Sequence, residues 1–137
     1  MRSRKSAALW ILVGAYAGLI FFLSSQPVPA AAEGAVVSVG DKSLHGIEYA
    51  GLTFLLAFAI ASSPWSRLRS LAAVIALAGA IAFAATDELH QTFVPGRVGD
   101  VVDFVADSLG ALVAAVAFEG WRRWSARRIA VSGTSPR

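Results

Sequence analysis

Four stretches of apolar residues dominate the chain, and each is long enough for a helix that crosses a membrane. They lie at about 7–25, 44–62, 68–91 and 98–119. A helix needs around 20 largely apolar residues to cross a hydrocarbon core of about 30 Å. Pro64 follows the second stretch and Pro95-Gly96 separates the third from the fourth, which favours helices joined by turns. We therefore predict an all-α polytopic membrane protein whose residues 1–125 form an antiparallel bundle of four transmembrane helices.

Composition indicates the same class of protein. Of the 137 residues 56% are hydrophobic and only 15% are charged, and the mean hydropathy is +0.63. Soluble domains usually carry about a quarter charged residues. The chain contains no cysteine, so disulfide bonds and thiolate chemistry are excluded.

The basic residues fall on one side of the membrane if the four spans alternate in direction. That side carries Arg2, Arg4, Lys5, Arg67, Arg69, Arg122, Arg123, Arg127, Arg128 and Arg137. The other side carries nearly every acid, with Lys42 and Arg97 as its basic residues. Because Lys and Arg are retained on the cytoplasmic face during insertion, we predict a multi-pass plasma-membrane protein with both termini cytoplasmic. Residues 126–137 are predicted to form a basic, disordered tail, whose partner is the lipid bilayer and not nucleic acid.

A cleaved signal peptide is the alternative for the first span. Basic residues, an apolar run and then Ala30-Ala31-Ala32 resemble a signal sequence with an A-x-A cleavage site. The apolar run is longer than the 7–15 residues that are usual for a signal sequence. We therefore expect the first helix to be retained.

Polar residues recur at helical spacing at the acidic end of the predicted bundle. Residues three, four or seven positions apart share one face of a helix, and four sets follow this rule: Asp41, His45 and Glu48; Lys42 and Tyr49; Asp87, His90 and Gln91; Asp100, Asp103 and Asp107. Helix rise places the polar residues of all four spans at one level, roughly 27 Å from the basic end. Charged groups in membrane helices normally face a bundle interior or a wet cavity. We therefore predict one polar cavity that opens to the outside.

The predicted cavity gathers more acids than bases, which suggests three arrangements. The carboxylates could share protons, pair with Lys42 and Arg97, or bind a divalent cation such as Mg²⁺ or Ca²⁺. No motif has metal-specific spacing, so the cofactor stays undetermined. The candidate catalytic residues are Asp87, Glu88, Asp103 and His45, with His45 as a proton carrier. The candidate binding residues are Lys42, Arg97, Gln91, Tyr49, Asp41, Glu48, Asp107 and Ser25.

Ordered motifs along nearly the whole chain resemble those of the VanZ-like family of bacterial membrane proteins. The motifs are Ser24-Ser25-Gln26-Pro27, Asp41-Lys42-x-x-His45-x-x-x-Tyr49, Asp87-Glu88-x-x-Gln91-x-Phe93-x-Pro95-Gly96-Arg97, and Asp103 with Asp107-x-x-Gly110. Position 107 is commonly Asn in such proteins and is Asp here, which argues for a hydrogen-bonding role over a metal-binding one. His90 lies outside the motif. The resemblance implies a role in the cell envelope, since the family's namesake is associated with lowered sensitivity to the glycopeptide teicoplanin.

Three functions are compatible with these observations. The first is an outer cavity that binds an anionic lipid-linked envelope component, with or without modifying it, and whose Arg97 and Lys42 would bind the phosphate. The second is a small transporter or channel, although the other halves of the spans are almost purely apolar. The third is a non-catalytic scaffold, for which Gly14-x-x-x-Gly18 could support a homodimer or simply pack within the bundle.

Overall fold

The computed structural model describes residues 2–27, 39–97 and 99–132, and side chains within 6–27, 44–97 and 99–129. These ranges form five helices and no strand: α1 (Arg2–Ser24), α2 (Val39–Ala61), α3 (Ser66–Ser70), α4 (Ala72–Gln91) and α5 (Val101–Ser132). All except α3 are long and apolar enough to cross a membrane. The predicted all-α bundle of four membrane-spanning helices is therefore confirmed.

Helix α2 lies at the centre of the bundle. It packs against every other helix, whereas α1 packs against α2 and α4 among the helices that the structure describes. Ser62, at the end of α2, approaches Ser6 near the start of α1, so these two helices are antiparallel. Phe58 of α2 stacks edge-on against Phe118 of α5, which runs parallel to α2. The four long helices thus alternate in direction, as consecutive spans must.

Two glycines bring α2 and α5 into backbone contact. The carbonyl of Gly46 occupies the place that a Cβ on Gly110 would need, and a Cβ on Gly46 would lie 3.2 Å from the carbonyl oxygen of Ala106. Small residues at helix crossings let membrane helices approach closely, because dispersion contacts there replace the missing hydrophobic driving force. This crossing lies beside His45 of α2 and Asp107 of α5, and it holds their two side chains together.

The two ends of the bundle differ in character. The polar end is defined by Ser24, His45, Asp87 and Asp107, and the arginine-rich end by Arg67, Arg69, Arg122 and Arg123. Between them, towards the arginine-rich end, the core is apolar and closely packed. Its buried members are Ala57, Ile60, Ala72, Ala76 and Phe118.

The third span begins later than the sequence pattern predicts. Apolar residues from 68 onwards indicate one continuous helix, but the structure has the short α3 followed by α4 from Ala72. The hydroxyl of Ser70 donates a hydrogen bond to the Arg67 carbonyl at 2.8 Å, and the backbone leaves helical geometry at Leu71. Side-chain hydrogen bonds of this kind compete with the helix ladder. The span predicted at about 68–91 is therefore interrupted at Leu71, and the long helix begins at Ala72.

The fourth helix is longer than predicted at one end and shorter at the other. It begins at Val101 instead of 98 and continues to Ser132 instead of ending near 119. The disorder expected for the basic tail stays a prediction. Glu119 pairs with Arg122 and Arg123 one turn away, and Arg128 lies 4.1 Å from the centre of the Trp124 ring. Such pairs stabilise a polar helix end. Residues 133–137 lie outside the described part of the chain.

Candidate functional site

A buried network joins the last turn of α1 to α4. Ser24 is 6% exposed, and its hydroxyl donates to the Oδ2 atom of Asp87 at 2.6 Å. Asp87 is 2% exposed, and the same oxygen accepts a longer hydrogen bond of 3.4 Å from the Gln91 amide. The other oxygen, Oδ1, has no hydrogen-bond partner among the described atoms. A buried polar atom without a partner is costly, so this network is a candidate for a binding or positioning role.

A tight turn after α4 carries Arg97 back over the end of α1. The amide of Arg97 donates to the Val94 carbonyl at 3.1 Å, and Gly96 between them has a φ of 76°. Pro followed by a residue with positive φ is typical of a type II turn, which favours glycine at the second position. The Pro95-Gly96-Arg97 motif therefore has a geometric reason, which is to direct the guanidinium towards α1.

The Arg97 guanidinium binds the carbonyl groups at the end of α1. Its Nε donates to the Gln26 carbonyl at 3.0 Å and its Nη2 to the Leu23 carbonyl at 3.1 Å. Its Nη1 lies 3.4 Å from the Gln91 side-chain oxygen. The last carbonyls of a helix lack intrahelical partners and carry partial negative charge. Arg97 thus stabilises the α1 terminus and links it to the Asp87 network.

One small polar cavity opens where α1, α2 and the Arg97 turn meet. It has a volume of about 150 Å³. It is lined by Leu23, Ser24, Leu44, His45, Glu48 and Arg97. Three of the predicted site residues, His45, Glu48 and Arg97, therefore share one cavity. Leu23 and Leu44 are 44% and 59% exposed, so the cavity mouth adjoins surface that faces lipid.

Behind the cavity, α2 and α5 contribute buried polar groups. His45 Nδ1 lies 3.5 Å from Asp107 Oδ1, which is ion-pair range but too long for a well-formed hydrogen bond. Asp107 is 2% exposed and Tyr49 is fully buried, and neither Asp107 Oδ1 nor the Tyr49 hydroxyl has a hydrogen-bond partner in the described structure. With Asp87 Oδ1, these atoms form a set of buried oxygens that the described side chains leave unsatisfied.

Glu88 of α4 and Asp100 before α5 join the two helices through their connection. Glu88 accepts a hydrogen bond from the Asp100 amide, and Asp100 accepts one from the Val102 amide at 2.8 Å. Asp100 is therefore the N-cap of α5, and Asp103 lies in its first turn, where negative charge is favourable. Glu88 also lines a separate hollow with Thr92 and Gly99, not the cavity of His45. The predicted single cavity thus does not include Glu88 or Asp103.

Ser25 and His90 lie at the outer edge of the site. His90 Nε2 is 3.0 Å from the Ser25 hydroxyl oxygen, and the imidazole stacks on Phe21 with ring centres 4.4 Å apart. This is the separation of a nucleophile and its base. The Ser25 hydroxyl, however, lies closer to the Phe21 carbonyl, at 2.6 Å, so its proton goes to the backbone and the pair closes the α1–α4 contact.

The sequence analysis identified most of these residues but missed two. It selected Ser25, whereas Ser24 lines the cavity, and it set His90 aside. Ser24 continues the buried face of Val13 and Ile20 at intervals of seven and four, a signal that could have identified it. The side chains of Asp41 and Lys42 lie outside the described residues. No group of three or more His, Cys, Asp or Glu suited to a metal occurs in the described part of the chain.

Four membrane-spanning helices around a buried polar network define a polytopic membrane protein with a polar site at one end of its bundle. The model of the VanZ/LLP1 family matches residues 9–122, and the chain belongs to that family. The resemblance inferred from the sequence motifs is therefore confirmed. No curated protein and no solved structure matches the chain.

Proposed function

We propose that the protein lies in the bacterial plasma membrane and that its polar cavity binds the phosphate of an anionic, lipid-linked envelope component on the outer face. The observation that carries this proposal is the shared cavity of Arg97 and His45. A planar guanidinium matches phosphate geometry, and an imidazolium adds a second donor. The cavity volume of about 150 Å³ suits a head group, not a whole lipid.

The position of the cavity favours a ligand that arrives from the membrane. Its mouth adjoins Leu23 and Leu44, whose exposed side chains can contact an isoprenoid or acyl chain while the phosphate enters the polar interior. Arg97 is already oriented by the carbonyls of α1, so little side-chain entropy is lost when it binds a ligand. The proposal assigns the phosphate to these two residues, with Lys42 as a third donor and no required cation.

Any chemical modification of the ligand would depend on His45. Of the four candidate catalytic residues, only His45 lines the cavity. Asp87 and Glu88 accept hydrogen bonds from Ser24 and from the Asp100 amide, which suits orienting roles. The family resemblance implies an effect on teicoplanin sensitivity. In this proposal, that effect would follow from ligand binding.

The remaining two functions have weaker support. A channel through one protomer would have to cross the apolar core of Ala57, Ala76 and Phe118, which are almost fully buried. A scaffold that acts through Gly14 and Gly18 would use α1, where both glycines have open space around them. Neither function explains why Arg97 and His45 share a cavity.

Native mass spectrometry of the protein in mild detergent tests the proposal. The probes are a polyprenyl phosphate and the polyprenol of the same chain length. We expect a one-to-one adduct with the phosphate only, and about a tenfold weaker one in His45→Gln, which keeps a hydrogen-bonding group but cannot become charged. Arg97→Gln should also weaken the adduct with the phosphate. Arg127→Gln is the charge-matched control, because Arg127 lies in α5 at the arginine-rich end of the bundle.

The melting temperature of each variant separates lost binding from lost fold. Equal binding of polyprenol and polyprenyl phosphate would mean that the chain alone is held, which contradicts the proposal. Unchanged phosphate binding in both folded variants, or equal losses in Arg127→Gln, would also contradict it.

A further inference from the structure

A second, larger cavity lies at the arginine-rich end of the bundle, between α1, α2, α3 and α5. Its volume is about 430 Å³. The residues that define its character are Leu9, Phe58, Phe118, Trp121, Arg69 and Arg122. It lies on the opposite side of the apolar core from the polar cavity, and so it is independent of the proposed function.

The charge around this cavity is strongly positive. Glu119 is the only acidic residue in 108–137, and its two oxygens accept hydrogen bonds from Arg122 at 2.8 and 2.9 Å and from Arg123 at 2.7 Å. The guanidinium of Arg69 forms no ion pair or side-chain hydrogen bond with any residue that the structure describes. Arg69 is therefore available for an anion, and Arg122 keeps further N–H groups beyond those given to Glu119.

The wall of the cavity is largely aromatic and apolar. The Phe58 ring packs against those of Phe118 and Trp121, with centres 5.1 and 5.2 Å apart. Trp121 is 47% exposed and Trp65 is 69% exposed, as is usual where a membrane protein meets the head-group layer. An apolar wall beside two arginines at this level matches a phospholipid, which has a charged phosphate joined to acyl chains.

We propose that this cavity is a binding site for an anionic glycerophospholipid. The phosphate lies between Arg69 and Arg122, and one acyl chain runs along Leu9 and Phe58 into the cleft. Charge complementarity selects an anionic lipid over a zwitterionic one, because the ammonium group of a zwitterionic lipid would meet two arginines and no unpaired acid. The bound lipid would lie between Leu9 of α1 and Phe118 of α5 at this end.

The test uses the full chain in mild detergent, titrated with one lipid at a time and followed by native mass spectrometry. The probes are phosphatidylglycerol, phosphatidylcholine with the same acyl chains, and water-soluble glycerol phosphate. Arg69→Gln removes the positive charge without breaking any contact that the structure describes, so the variant should keep its fold. Arg127→Gln is the control: it also removes one positive charge, and Arg127 lies near Arg122 at the end of α5 but does not line the cavity.

We expect phosphatidylglycerol to bind preferentially and its affinity to fall about fivefold or more in Arg69→Gln, with a much smaller change in Arg127→Gln. A similar loss in both variants would show diffuse attraction to a basic surface and would overturn the proposed site. No loss in a folded Arg69→Gln, or equal binding of phosphatidylcholine, would overturn it as well. If glycerol phosphate binds as tightly as the lipid, the proposed lipid site is overturned and the ligand is a soluble phosphate.

Discussion

At the scale of single residues, the polar end depends on hydroxyl and amide groups that donate to one oxygen of the buried Asp87 carboxylate. Ser24 and Ser25 are neighbours in the chain, yet they have different environments. Ser24 is buried and donates to Asp87, whereas Ser25 is half-buried and lies between the Phe21 carbonyl and His90. The pair therefore offers an internal comparison of a buried charge-assisted hydrogen bond with a peripheral one.

We predict that Ser24→Ala lowers the free energy of unfolding by about 1–3 kcal/mol, because Asp87 would keep only the long contact from Gln91. Ser25→Ala should cost less than about 1 kcal/mol. Thermal unfolding in detergent, followed by circular dichroism, measures both variants. If the two losses are equal, or if Ser25→Ala is the larger, then the Asp87 network is not the stabilising contact that the geometry indicates.

At the scale of helices, the contact between α2 and α5 determines where the site residues lie. Gly46 and Gly110 touch through their backbones, and this contact brings His45 within 3.5 Å of Asp107. Helix α1 is held more loosely, since 11% of its membrane-spanning residues are buried, against 33% in α2. Its attachment at the polar end comes largely from Ser24 and from the Arg97 hydrogen bonds to its last carbonyls.

We predict that Gly110→Ala destabilises the bundle by about 1–3 kcal/mol or more, because the new methyl group would overlap the Gly46 backbone and force α2 and α5 apart. Gly14→Ala is the matched control, since nothing lies within 4 Å of that position and alanine is the better helix former. Thermal unfolding in detergent compares the two. A harmless Gly110→Ala would mean that the helices do not cross at these glycines.

A homodimer formed through Gly14 and Gly18 stays a prediction. The structure places neither glycine against another described part of the bundle, so packing within one protomer does not account for them. Cross-linking of Gly14→Ala and Gly14→Ile variants in membranes would measure any association through this face of α1, which bulky residues should weaken.

At the scale of the whole molecule, the two ends of the bundle have opposite characters, and this asymmetry predicts the orientation in the membrane. The polar end carries the buried acids, and the arginine-rich end carries the α2–α3 connection and the extension of α5. A helix of 32 residues is about 48 Å long, so α5 extends beyond a hydrocarbon core of about 30 Å.

We predict that the polar end faces outwards and that Ser66 faces the cytoplasm, because Lys and Arg are retained there during insertion. The chain has no cysteine, so a single introduced cysteine is the only thiol that a maleimide can label. A membrane-impermeant maleimide applied to spheroplasts should label Thr92→Cys but not Ser66→Cys, and lysis should expose both. The reverse pattern would invert the topology and place the proposed phosphate site on the cytoplasmic side.

The sequence by itself determined the number of spanning helices, their alternation and the level at which polar residues gather. These features follow from the length of apolar runs and from helix rise, which are local properties. The same locality explains why apolar runs did not predict the interruption at Leu71 or the continuation of α5 to Ser132, which lie beside the side-chain contacts of Ser70 and of Glu119. A hydropathy pattern cannot register contacts of that kind.

Only the tertiary structure decided which polar residues meet. The sequence analysis made Glu88 and His45 candidates for one cavity, but Glu88 accepts a hydrogen bond from the Asp100 amide and does not line the cavity of His45. Spacing also could not show that Arg97 returns to the α1 carbonyls, because that contact joins residues more than 70 positions apart through a glycine turn. Which side chains share a cavity depends on the rotation of whole helices about their axes, and close contacts such as Gly46 with Gly110 set that rotation.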